Sequence, residues 1–177
     1  MVQTYECEIT IDYNLDRLGP DGRFIDHIAF VLCTDGQCHF RFNGKETVLH
    51  KQEGMMLPLP ILVDEQRPST DFRAVCVYVN PEILNLPSIV HNPLKDGLIN
   101  VFVNPISPLN VEEMGLLSHD FKEVVWRKQN VDFPLRAKTL YHSLQNLILD
   151  FVGIYSRHFI DSAPPHFCLS QQSGQIP

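Results

Sequence analysis

Residues Asp26 to Pro60 read DHIAFVLC-TDGQ-CHFRFNGKETVLHKQEGMMLPLP. An apolar run ends in a Gly-containing turn, an alternating run reaches Asn43-Gly44, and a third stretch closes on Glu53-Gly54 and two prolines. Short runs punctuated this way indicate antiparallel β structure. With Thr34-Asp35-Gly36-Gln37 as a hairpin turn, Cys33 is expected opposite Cys38, Val31 opposite Phe40, Ala29 opposite Phe42 and His27 opposite Gly44. The other face would pair Leu32 with His39, Phe30 with Arg41 and Ile28 with Asn43. The first face is the more apolar, so it is expected inside; a one-residue slip would reverse the two.

Upstream, Cys7, Ile9 and Ile11 alternate with Glu6, Glu8, Thr10 and Asp12, suggesting a short edge strand, and Gly19-Pro20-Asp21-Gly22 is a turn signal. Downstream, Glu65 to Thr70 reads as a polar loop. Asp71 to Val79 reads as a buried strand with Phe72, Ala74, Cys76 and Tyr78 on one face, and Leu98 to Val103 as another strand among prolines.

At Asn110 the pattern changes. Asn110 suits a helix N-cap, with Glu112 and Glu113 in the first turn, where the helix dipole favours negative charge. Met114, Leu117, Phe121, Val124 and Val125 recur at helical spacing until Lys128-Gln129-Asn130. Pro134 suits the start of a second helix, whose apolar stripe runs from Leu135 through Leu140, Leu144, Leu147, Ile148, Phe151, Ile154 and Tyr155 to Phe159. The short connection predicts antiparallel neighbours. Asp161 to Pro177 has the composition of a linker. Strands first and helices afterwards predict an α+β fold, and many short strands a barrel or sandwich.

The 177 residues suffice for one ordinary domain, and 44% hydrophobic with 20% charged residues is a globular composition. A net charge of −7 argues against this chain gripping a phosphate backbone by itself. The chain has no run of about 18 apolar residues, and its acidic start has no signal-peptide core, so a cytoplasmic, membrane-free protein is expected. Five cysteines form no framework and read as mostly reduced, buried thiols.

The stretch FVLCTDGQCHFRFNGKETVLHKQEGMMLPLP, the segment Asp71 to Glu82 with Val79-Asn80-Pro81-Glu82, and the closing helix pair together resemble the cupin-like N-terminal domain of AraC-family transcription regulators over about residues 5–160. The resemblance implies a cupin-like antiparallel β-barrel at 1–108 that senses a small molecule. It implies a helical dimerisation hairpin at 109–160, and at 161–177 a linker toward a DNA-binding domain with two helix-turn-helix units. On it, the chain is the regulatory half of a longer protein, with a sugar as the family's expected effector. The alternatives are a free-standing cupin enzyme, such as a sugar isomerase or dioxygenase, and a carbohydrate-binding module without signalling.

Metal-dependent cupins carry a His-x-His…Glu pattern before the hairpin glycine and a further His after the second glycine. Aligned on Gly36 and Gly54, Ala29 stands where the Glu would be and Leu57 near the later His. Apolar side chains cannot ligate a metal, so no metal or cofactor is expected. A zinc site of His27, Cys33, Cys38 and His39 fails on geometry: Cys38 and His39 point to opposite faces, and His27 and Cys33 lie about 20 Å apart along a strand. Ser118-His119-Asp120 cannot be a catalytic triad, because successive helical residues diverge by about 100°; they read as one partly exposed face. His142 and His158 read as solvent or interface histidines, and Trp126 as either an interface anchor or core. Lys122, Arg127, Lys128, Arg136 and Lys138 cluster near the interhelical turn; dipole complementarity and solvation explain most of them, with a nucleic-acid role as the weaker alternative.

The expected effector site is the interior face: His27, Cys33, Phe40, Phe42, Cys76 and Tyr78, a largely apolar cavity with a few polar groups. The same residues could instead simply pack the barrel. The expected homodimer surface is the stripe of the second helix, with Leu140, Leu144, Leu147 and Phe151 at its centre.

Overall fold

A computed structural model of the chain describes residues 9–13, 15, 27–42, 44–57, 63–80, 101 and 104–162. Among the described residues eight strands precede two helices: β1 (Thr10–Tyr13), β2 (Ile28–Asp35), β3 (Gln37–Phe42), β4 (Lys45–His50), β5 (Glu53–Leu57), β6 (Val63–Pro68), β7 (Arg73–Val79), β8 (Ile106–Pro108), α1 (Val111–Gln129) and α2 (Arg136–Ser162). A five-stranded sheet in the order β1-β7-β2-β5-β8 faces a three-stranded sheet in the order β4-β3-β6, and every pairing is antiparallel. This is the α+β fold that the order of strands and helices predicts, and its facing antiparallel sheets with a closing helix pair agree with the cupin-like barrel that the resemblance implies.

The trial hairpin register is wrong. β2 pairs with β5 and β7, and β3 with β4 and β6, so Cys33 and Cys38 stand in different sheets. The chain changes sheets at Gly36, whose φ of 67° suits glycine. A Cβ there would lie 2.6 Å from Phe72 N and 2.7 Å from Ser69 Oγ. Two further crossings meet at the same corner. Lys51 N donates to Gly36 O at 3.0 Å where β4 passes to β5, and Ser69 N donates to Gln37 O at 2.8 Å where β6 passes to β7.

The face assignment survives the change of partner. Ala29, Val31, Cys33, Cys38, Phe40, Phe72, Ala74, Cys76 and Tyr78 form one buried cluster between the sheets, with Leu49, Met55 and Leu57. The opposite face of β2 is equally buried, because Ile28, Phe30 and Leu32 lie under the helices. An unbroken apolar run from Ile28 to Cys33 therefore suits a central strand covered on both sides.

The turn after β4 falls at Lys51-Gln52, where Gln52 has φ 63°, and Glu53-Gly54 already belong to β5. The polar stretch expected as a loop is strand β6, at the edge of its sheet, with Pro68 at its end, where a missing N–H is tolerated. β1 is an edge strand as expected. Val101 has helical backbone, against a strand there. The Gly19–Gly22 turn, Cys7, Cys168 and the rest of 81–103 and 163–177 lie outside the described residues.

α1 starts as expected: Asn110 Oδ1 accepts from Glu113 N, and the Glu113 carboxylate returns a bond to Asn110 N, a complete capping box. Arg136 closes its other end, donating to Arg127 O at 2.9 Å and Lys128 O at 3.0 Å. The two helices pack antiparallel, joined by Arg127 Nε to Ser143 Oγ at 2.8 Å. Phe151 centres the layer between helices and sheet, edge-on to Phe30 at 5.4 Å and to Phe121 at 6.0 Å. The Tyr155 hydroxyl, deeply buried, is shared between the carbonyls of Gly54 and Pro105.

Candidate functional site

The barrel interior brings Cys33, Phe40, Cys76 and Tyr78 together, all buried in the cluster between the sheets. The pleat does this: each occupies an inward position of its strand. His27 stands just before β2 and is half-buried, and the Phe42 side chain lies outside the described residues. Cys33, Cys38 and Cys76 are free thiols. Burial pushes Cys33 up to about 12 and Cys38 up to about 11, so both are weak nucleophiles at neutral pH. Ala29 and Leu57 are cross-strand partners and both fully buried. Ala29, expected in place of the Glu of metal-dependent cupins, and Leu57, expected near their later His, are thus neighbours here, and both are apolar. Among the described residues no three His, Cys, Asp or Glu side chains converge to hold a metal.

The expected dimer residues are not at the surface. Leu140, Leu144, Leu147 and Phe151 belong to the core between α2, α1 and the sheet. The stripe is wide because α2 meets both layers at once, so its apolar residues are used up within the chain. Leu135, expected to begin the stripe, is exposed and precedes the helix. The outward side of the hairpin carries Leu116 and Leu149, 44% and 39% exposed. No helix of the described residues is long and apolar enough to cross a membrane.

Two polar clusters sit in the hairpin. Ser107 Oγ and His158 Nδ1 are 2.9 Å apart, His158 Nε2 lies 3.1 Å from Glu113 Oε1, and Arg157 pairs with the same carboxylate. This line of serine, imidazole and carboxylate is not arranged for acyl transfer. The hydroxyl is buried, and Glu113 also serves as the cap of α1. It fastens β8 and α2 to the start of α1, so His158 is a junction residue rather than a free surface histidine. The second cluster is Asp120 with Asp150. Asp120 is 6% exposed, against the expectation of a partly exposed face. Desolvation, the hydrogen bond that protonated Asp120 donates to the Asp150 carboxylate, and the Asp150 charge push its carboxyl up to about 7.

Sequence reasoning missed a groove. Tyr13, Val75 and Leu32 form a row across β1, β7 and β2. Ser118, Phe121, Lys122, Val125, Trp126 and Gln129, one face of α1, stand over it. Together with Thr34, Arg73, Ala74 and Glu123 they line a groove of about 830 Å³. The helical spacing of the α1 residues was legible, but nothing in sequence joins them to positions 13, 32 and 73–75.

No family model and no curated protein matches the chain. Solved structures do. The AraC-like transcriptional activator CuxR shares 14% identity over 82% of this chain and 48% of its own, with a TM-score of 0.49. ToxT from Vibrio cholerae, bound to unsaturated fatty acid, shares 11% over 88% and 52%, with a TM-score of 0.45. A putative ethanolamine utilization protein q from Salmonella typhimurium shares 15% over 33% and 46%, with a TM-score of 0.29. The chain spans about half the length of these structures.

Proposed function

We propose that this chain is the effector-sensing and dimerisation part of an AraC-like transcription regulator, acting in the cytoplasm through a DNA-binding domain outside this sequence. The observation that carries the reading is the double role of β2. Its inward residues Ala29, Val31 and Cys33 line the barrel interior, while Ile28, Phe30 and Leu32 of the same strand support the helices. A small molecule held among Cys33, Phe40, Cys76 and Tyr78 would press on a strand shared with the hairpin. To act as a signal it must bind two arrangements of the hairpin with different affinity. The chain is read as a sensor and not an enzyme, because Ala29 stands where the sequence pattern would put a ligating Glu, Leu57 stands near the place of the later His, and burial deactivates the Cys33 and Cys38 thiols.

Sugars and fatty acids are the effector classes to screen, the first from the sequence resemblance and the second from the ligand bound to ToxT. Dimerisation is assigned to the outward side of the hairpin around Leu116 and Leu149, since the stripe itself is core. The test is a thermal-shift screen followed by titration of Tyr78→Phe, which keeps the ring and removes the hydroxyl. A polar effector should bind the variant about tenfold more weakly. Equal affinity would remove Tyr78 from the site, and an absence of hits in both classes would leave the sensor reading without support. For the dimer, sedimentation of Leu116→Lys with Leu149→Lys should show monomers where the parent is dimeric. A dimer that persists would refute that surface.

A further inference from the structure

We propose that the groove between α1 and the Tyr13–Val75–Leu32 row is a second binding site, on the outside of the barrel, for a small amphipathic anion. The proposal does not depend on the effector reading. The volume of about 830 Å³ suits a small molecule. Its walls are apolar: Leu32, Val75, Phe121, Val125 and Trp126. Two cations stand at it, Arg73 from the start of β7 and Lys122 from α1, both exposed. Neither is in an ion pair among the described residues. Among the described residues the one carboxylate lining the groove, Glu123, is held by Arg127 at 2.6 Å. Arg73 Nη1 donates to Phe72 O at 2.7 Å, which leaves the rest of its guanidinium for a ligand. The groove therefore offers two positive charges outside any ion pair of the described residues beside an apolar wall, in a chain of net charge −7. That combination selects one acidic head group on an apolar body: the head at Arg73 and Lys122, the body along Val75, Val125 and the Trp126 ring. A neutral or cationic amphiphile would gain the apolar contact without the ion pairs.

Trp126 is the chain's single tryptophan, 45% exposed and edge-on to Phe133 at 5.1 Å, so its emission reports on this wall directly. The full chain is titrated with decanoate below its micelle concentration, with decanol and decyltrimethylammonium as head-group controls. Decanoate should give a saturable change in Trp126 emission, with affinity about tenfold or more above either control. The Arg73→Gln, Lys122→Gln double variant changes two exposed residues and should retain its fold. It should bind decanoate about tenfold or more weakly. No saturable change, equal affinity for decanol, or an affinity unchanged in the double variant would each overturn the proposal.

Discussion

His158 Nε2 lies 3.1 Å from Glu113 Oε1, which joins the far end of α2 to the first turn of α1. Glu113 also accepts from Asn110 N at 2.8 Å and pairs with Arg157. One buried carboxylate thus caps one helix and anchors the other. Glu113→Ala would leave these donors unmatched, at a cost of about 2–3 kcal/mol. Urea unfolding should show that loss, and amide exchange should quicken in both the first turn of α1 and the last turns of α2. Faster exchange in α1 alone would reduce Glu113 to a cap.

Asp120 makes the hairpin sensitive to pH. Its folded carboxyl is raised from 3.8 to about 7, so the folded state holds a proton that the unfolded chain gives up. Below pH 4 both states are protonated and Asp120 costs nothing. The penalty grows as pH rises from about 4 to 7 and is complete above that range. Asp120→Asn should therefore raise the melting temperature at pH 8, by the equivalent of a few kcal/mol at most, and leave it unchanged near pH 3.5. A gain of equal size at both pH values would show that the carboxyl charge is not the cause.

Gly36 and Gly44 both have positive φ, 67° and 74°, but differ in their surroundings. A Cβ at Gly44 meets nothing within 4 Å, whereas at Gly36 it would strike the Phe72 backbone at 2.6 Å. Gly44→Ala should cost about 1 kcal/mol, the left-handed backbone alone. Gly36→Ala should cost about 3 kcal/mol or more, since backbone at the three-way corner must also move. Equal costs in chemical denaturation would mean the corner relaxes freely.

α2 should tolerate change on one side only. Leu147 is fully buried and Leu149 is 39% exposed. Leu147→Ala is expected to cost about 2–5 kcal/mol, and Leu149→Ala under about 0.5 kcal/mol in the monomer. Thermal unfolding at low concentration separates the two.

The interior thiols should be inert while the barrel is folded. With Cys7 and Cys168 replaced by serine, Cys33, Cys38 and Cys76 should react with a disulfide reagent at pH 8 only as fast as the chain unfolds. Rapid labelling of the native protein would show that reagent reaches the interior.

Local rules settled much of this protein. Strand pleat determined that Cys33, Phe40, Cys76 and Tyr78 face one way, and Asn110 with Glu113 determined where α1 begins, because each rests on neighbours in the chain. Strand partners were not decided locally. An apolar run followed by a Gly turn fits a hairpin and a sheet crossing equally well, and only the close passage of Phe72 and Ser69 beside Gly36 selects the crossing. β6 was hidden because an edge strand takes its ladder from β3 and needs no apolar alternation. The stripe of α2 could not reveal whether a second copy or its own sheet covers it, since burial has no direction in sequence. The sheet covers it, through Phe30 and Phe151, and the groove beside α1 exists only because three strands and a helix meet there.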